Sequence, residues 1–210
     1  MRIGIIGAGS VGGTLGKGWV NKGHEVLFGV RDQADPKVQK LLADAGKAAC
    51  AGSVAEAGAF GEVLVLATPW DATEEALRNA GDLDGKIVFD CTNPLKPALA
   101  GLVVPAAGSG GQQVAAWAPG ARVVKVFNTT GFNNMADPGY GGQGATMFYC
   151  GDDKDAKGVA HRLAQDLGFE PQDAGPLANA GLLESLALLW IWLAYPGGQG
   201  REIAFKLLRR

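Results

Sequence analysis

Histidine and cysteine are scarce in this chain, with two of the first and three of the second among 210 residues. Cys50, Cys91 and Cys150 stand apart, odd in number, with no Cys-x-x-Cys and no Cys/His pair at ligand spacing. That excludes a disulfide framework and a metal centre, and reads them as small buried hydrophobes of a reducing compartment. Basic runs are missing too. None exceeds Arg209-Arg210, and 19 Lys+Arg stand against 21 Asp+Glu, so no nucleic-acid surface is expected. The longest apolar stretch, residues 186–195, falls short of the about 20 residues a membrane span requires. Glycines interrupt the N-terminal apolar run before a signal-peptide core can form. The expectation is a cytoplasmic chain without membrane or nucleic-acid partners. With 47% hydrophobic and 19% charged residues it is globular.

Glycine, by contrast, is abundant, at 33 residues, and its first cluster is placed tellingly. Residues 2–12, RIGIIGAGSVG, are a strand-like apolar run passing at once into Gly7-x-Gly9-x-x-Gly12. Gly7 permits the tight strand-to-helix turn and Gly9 lets backbone approach a pyrophosphate. Gly12 lets the helix pack close to the sheet, and the helix N-terminus supplies free N–H groups. Ala8, Ser10 and Val11 complete this cradle, the expected seat of a dinucleotide. Further along, strand-like runs at 25–30, 47–50, 62–67, 86–90 and 121–126 alternate with helix-like runs at 10–22, 36–45, 53–59, 70–80 and 110–117. A later block reads strand 145–150, helix 151–168, strand 169–175. This is an α/β fold of Rossmann type: a doubly wound, mainly parallel sheet with helices on both faces.

The expected division is a dinucleotide-binding domain over 1–175 and a helical segment over 176–210. PLANAGLLESLALLWIWLAYPGG reads as a helix apolar almost all round. Such a helix must be buried, against the sheet or in a homodimer. REIAFKLLRR reads as a short amphipathic helix, and DPGYGGQG (137–144) as a flexible, lid-like loop.

The end of the second strand selects the dinucleotide. If the strand ends at Val30, the acid position that grips an NAD ribose is empty and Arg31 reaches a 2′-phosphate. If it ends later, Asp32 serves the ribose. Guanidinium matches phosphate in charge and geometry, and Lys37 adds charge, so NADP(H) is the preferred reading. The other strand ends offer Thr68-Pro69-Trp70, Asn93-Pro94-Leu95 and Asn128-Thr129, all without histidine, glutamate or cysteine. A dehydrogenase of alcohols needs an acid or base there. Its absence, with so little chain after the sheet, points to a second redox ring, a flavin, deazaflavin or quinone, as hydride partner.

These motifs resemble the NADPH-dependent reductases of the deazaflavin coenzyme F-420 and, more distantly, the N-terminal domain of STEAP-type metalloreductases. The resemblance is carried by GAGSVG, GHEVLFGVR, VLATPW, the NPL loop, VVKVFNT, YCGDD and DAGPLANAGLLESL. It implies that Ala8-Gly9-Ser10-Val11 hold the NADP pyrophosphate and Val30-Arg31 its 2′-phosphate. It further implies that Pro69-Trp70 flank the cofactor and that Phe132-Asn133 lie by the nicotinamide. F-420 or a flavin, as co-substrate, would lie between the NPL loop, Asn128 and the segment from Leu177 to Glu184. The chain departs from the family at Val30, where a serine is common, and at Asp32, an acid beside Arg31. Other readings are an NADPH reductase of a different acceptor (ferric or imine) and a non-catalytic NADP(H) sensor.

Overall fold

The computed structural model describes residues 1–210. In chain order it contains β1 (Arg2–Ile6), α1 (Ser10–Asn21), β2 (Glu25–Gly29), α2 (Pro36–Ala45), β3 (Ala49–Gly52), α3 (Val54–Phe60) and β4 (Val63–Leu66). There follow α4 (Thr73–Asn79), β5 (Ile87–Asp90), α5 (Gly110–Trp117), β6 (Arg122–Lys125), α6 (Phe132–Ala136), β7 (Gly139–Tyr140) and β8 (Gln143–Gly144). The last are β9 (Thr146–Gly151), α7 (Lys154–Asp166), β10 (Glu170–Asp173) and α8 (Ala180–Ala194). Eight strands form one sheet in the order β10-β9-β6-β5-β4-β1-β2-β3. Every pairing in it is parallel except β6 with β9. The winding reverses between β1 and β4, which opens a crevice at the carboxyl ends of the strands.

Period-two alternation builds the two layers. All four residues of β4 are buried: Val63 and Val65 join Ile3, Ile5, Leu15, Trp19 and Leu163 in one core. Leu64 and Leu66 join Ile6, Leu77, Val114 and Leu183 in the other. Local signals set several helix starts. Asp35 caps α2 with Pro36 in its first turn, and Ser53 with Glu56 forms a reciprocal capping box at α3.

Two expectations differ from the structure. Residues 137–144 are a hairpin rather than a free lid. Gly141 and Gly142, at φ 56° and 85°, make the two-residue turn between β7 and β8. The Tyr140 hydroxyl pins it by donating to Asn134 Oδ1 at 2.8 Å. Residues 201–210 form no helix, because tertiary partners claim their backbone groups. The Thr146 amide donates to the Phe205 carbonyl at 3.0 Å, and the Leu207 amide to Thr146 Oγ1 at 3.0 Å. Trp190 Nε1 and Asn134 Nδ2 both donate to the Ile203 carbonyl at 2.7 Å. A ten-residue helix is too short to compete with such partners. As expected for its apolar sequence, α8 buries one face on the chain itself, while its other face is open in the single chain. Ala180, Leu183, Glu184, Ala187, Trp190 and Ala194 are buried, whereas Leu182 and Trp192 are 67% and 52% exposed. The run Leu177–Ala194 is long and apolar enough by composition to cross a membrane, longer than residues 186–195 suggested. One face of it packs on the chain's own sheet.

Candidate functional site

A cavity of about 700 Å³ opens at the carboxyl ends of β1, β2 and β4. Its floor is the glycine turn, and the three glycines play three different parts. Gly7 has φ 107°, and a Cβ there would stand 2.6 Å from the Ala67 carbonyl oxygen. At Gly12 a Cβ would stand 2.1 Å from the Gly7 carbonyl oxygen, so both must be glycine for the turn to close. At Gly9 a Cβ would meet nothing within 4 Å, so the space above the turn is open. Gly9 is also the N-cap of α1, and no side chain caps the helix. Its first turn, Ser10-Val11-Gly12, therefore offers N–H groups and the positive dipole end to an anion such as pyrophosphate. The residues present fit a dinucleotide.

Gly7, Ala8, Gly9, Val30, Arg31, Lys37, Thr68 and Pro69 come together in the cavity wall. β2 ends at Gly29, so the acid position at the strand end is empty. Asp32 does not pair with Arg31. Its Oδ1 accepts the Ala34 amide at 2.8 Å, and Asp35 Oδ1 accepts the Lys37 amide at 2.7 Å. Arg31 is exposed with no carboxylate within 4.0 Å, which leaves its guanidinium free for a phosphate. Thr68 and Thr73 join hydroxyls at 3.0 Å, and Thr73 Oγ1 donates to the Pro69 carbonyl, which stiffens that loop. Trp70 is not part of the wall; it leans on Trp117, with ring centroids 5.2 Å apart. Sequence reading missed the far wall, Glu75, Ala76 and Asn79 of α4, because no motif marks them and only the packing of α4 brings them there.

Beyond β5 and β6 the arrangement is ionic and closed. Asp90, Lys125 and Cys150 are neighbours in register across β5, β6 and β9. Lys125 Nζ donates to Asp90 Oδ2 at 2.8 Å and to the Thr92 carbonyl at 2.7 Å, and meets Glu184 Oε1 at 3.0 Å. All three charged side chains are buried. Glu184, expected to lie beside an acceptor ring, is instead consumed here: its carboxylate also accepts the amides of Gly110 and Gly111 at 3.1 and 2.9 Å. It is thus the anion that the Gly108–Gly111 turn cradles, at the positive end of α5. Burial drives the Lys125 pKa down most strongly, but Asp90 and Glu184 together outweigh it and hold the ammonium above its ordinary value. Burial pushes the neighbouring Cys150 thiol up to about 12, so it is inert.

Lys125 thereby anchors Thr92 and the loop after it. Asn93 and Asn128 clasp each other across this edge: Asn93 Nδ2 donates to the Asn128 carbonyl at 2.9 Å, and Asn128 Nδ2 to Asn93 Oδ1 at 3.0 Å. Asn128 Oδ1 is left buried without a partner, next to Phe127 in the left-handed region at φ 58°. Such strain in a bulky residue is tolerated where surrounding structure over-determines it. Pro94 lies against Gly110, Leu95 bridges to Leu102, and Thr129 is buried. Leu177 is 7% exposed and belongs to the core, not to an open acceptor surface. Phe132 and Asn133 begin α6, where the Arg201 guanidinium covers the Phe132 ring at 4.2 Å. The histidines are remote. His24 precedes β2 at the opposite edge and pairs with Asp166 at 3.0 Å, while His161 on α7 meets the Tyr149 hydroxyl at 3.3 Å.

Comparison with known proteins agrees with this geometry. Residues 2–94 match the family model described as NADP oxidoreductase, coenzyme F-420-dependent. A crystal structure from Arthrobacter sp. FB24, named provisionally as an F-420-dependent NADP-reductase, is 31% identical with a TM-score of 0.89, and each chain covers 100% of the other. Rat metalloreductase STEAP3 is 29% identical over 191 residues, 89% of this chain; the chain spans 36% of that relative's length. An Aspergillus terreus reductive aminase, solved with NADPH and ethyl-5-oxohexanoate, shares the fold at 20% identity, with a TM-score of 0.69. That likeness covers 94% of this chain and 63% of the aminase. The oxidoreductase character and the dinucleotide cleft thus come with a whole-chain relative, and the chain belongs to the F-420-dependent NADP oxidoreductase family.

Proposed function

We propose that this protein exchanges a hydride between NADP(H) and the ring of a deazaflavin coenzyme, F-420, with no side chain serving as acid or base. The observation that carries the reading is the state of the polar groups at the carboxyl edge of the sheet. Lys125 is shared by Asp90 and Glu184 in the core, Glu184 also accepts the Gly110 and Gly111 amides, and the two histidines are bonded elsewhere. The Tyr140 hydroxyl is donated to Asn134, and burial raises its pKa. NADPH, when bound, supplies the hydride from its nicotinamide ring. The work left to the chain is to hold and orient: α1 and the glycine turn take the pyrophosphate, Arg31 and Lys37 the 2′-phosphate. The loops from Asn93 and Asn128 take the ring end, with positioning as the main source of rate. The proton that completes reduction of a deazaflavin comes from water. The provisional name of the Arthrobacter relative supports the same acceptor.

The test is loss of NADPH absorbance with F-420, FMN, FAD and ferric chelates offered in parallel, beside an NADH control. Reduction of F-420 in preference to the others is expected. Reduction of a ferric chelate or an imine alone, or of nothing, overturns the reading. The half-exposed face of α8, with Leu182, Leu189 and Trp192, supports a homodimer. Sedimentation should give a dimer for the native chain and a monomer for Trp192→Glu.

A further inference from the structure

The C-terminal chain ends as a strap rather than a helix, and the strap sets a cation on Phe132 at the start of α6, the helix that follows β6. Four side-chain bonds fix it. Asn133 Nδ2 donates to the Arg201 carbonyl at 2.8 Å, Asn134 Nδ2 and Trp190 Nε1 to the Ile203 carbonyl, and Arg201 itself donates to Asn133 Oδ1 at 3.3 Å. Held in this way, the guanidinium carbon lies over the Phe132 ring, 4.2 Å from its centroid. Phe132 packs into the same core cluster as Ala8 and Val11 of the glycine turn, and α6, which it begins, lies against α1. No carboxylate comes within 4.0 Å of Arg201, although Glu202 is its chain neighbour; the Glu202 carboxylate accepts from Asn133 instead. Arg201 Nε is buried and unpaired. A half-buried guanidinium kept without a counter-ion, with one N–H sacrificed, is costly for folding, and such costs persist where a ligand uses the group.

We infer that Arg201 is an anion-binding, specificity-determining residue for the hydride acceptor, and that the acceptor it selects carries a carboxylate or phosphate. The two anionic parts of NADP are served elsewhere, by the α1 N-terminus and by Arg31 with Lys37, so the charge that Arg201 meets belongs to the second molecule. A guanidinium held over a ring presents paired donors in one plane, which suits an oxyanion better than a mobile lysine does. The inference rests on the proposed hydride exchange with a ring coenzyme.

The experiment measures binding to the NADP-loaded protein by quenching of ring fluorescence. The probes are F-420 and FMN, both anionic, each beside its uncharged parent, the side-chain-truncated deazaflavin and riboflavin. The native protein is expected to favour at least one anionic member by about tenfold or more, the usual weight of a charge-assisted contact. Arg201→Gln should erase that preference and Arg201→Lys retain part of it, while NADPH affinity stays within about twofold. Added salt should move the native protein toward Arg201→Gln and leave that variant unmoved. No anion preference in the native protein, the same preference in Arg201→Gln, or no binding of any of the four overturns the inference. Turnover separates the two ideas. F-420 reduction without anion preference sinks the subsite and keeps the function, and preference without reduction does the reverse.

Discussion

Replacing Lys125 by methionine removes one ammonium and strands two carboxylates, Asp90 and Glu184, in a core closed to water. Methionine nearly matches the lysine stem, so the change is one of charge and hydrogen bonding rather than of volume. Loss of one partner from a buried pair costs about 3–5 kcal/mol, and here two partners share the loss. The Thr92 carbonyl loses its donor as well. Domains are stable by only about 5–15 kcal/mol, so the variant should be marginal. For a chain of this size the melting temperature should fall by roughly 6–20 °C. The folded Lys125 pKa lies above its ordinary 10.5, the opposing pull of burial being outweighed by Asp90 and Glu184. Stabilisation by a raised group is complete below its unfolded pKa and is lost as pH rises through the folded one. The deficit of Lys125→Met should therefore be present in full at neutral pH, and the native protein should lose this contribution only in strong alkali. Equilibrium unfolding in urea measures it, with the midpoint falling at constant slope. The triple variant Lys125→Met/Asp90→Asn/Glu184→Gln carries no buried charge and should recover most of the loss. A single variant within ~1 kcal/mol of the native protein would refute the view that Lys125 holds both buried carboxylates.

Gly9→Val should abolish NADPH binding, seen by titration calorimetry, and leave the melting temperature nearly unchanged, since its Cβ meets only open space. Gly12→Ala should do the opposite first and lower the melting temperature, because its Cβ runs into the Gly7 carbonyl. Arg31→Ala should weaken NADPH by roughly tenfold or more and NADH hardly at all, in paired fluorescence titrations; equal losses would remove Arg31 from the 2′-phosphate pocket. Ser53→Ala removes the cap on α3 and should cost about 0.5–2 kcal/mol in urea unfolding with no effect on NADPH affinity.

The sheet, seven of the eight helices and the glycine turn at the floor of the cleft were legible from the residues. Each depends on a short-range signal: alternation in Val63-Leu64-Val65-Leu66, caps at Asp35 and Ser53, and glycine spacing after β1. The ring end was not legible to the same degree. Nothing local says that Glu184 reaches Lys125 and α5, that Trp70 turns to Trp117, or that residues 201–206 form no helix and serve Asn133, Asn134 and Trp190. α6 was missed for a related reason, since five residues are too few for a helical period to register. The sequence by itself determined which strands form and where the glycine turn closes onto α1, because those rest on side-chain period and on the space a Cβ would occupy. Only the tertiary structure decided which charges are spent in the core and which, like Arg201, meet no carboxylate. A charge is spent or free according to the partner it meets, and residues 125 and 184 meet only when the whole sheet and α8 have closed around them.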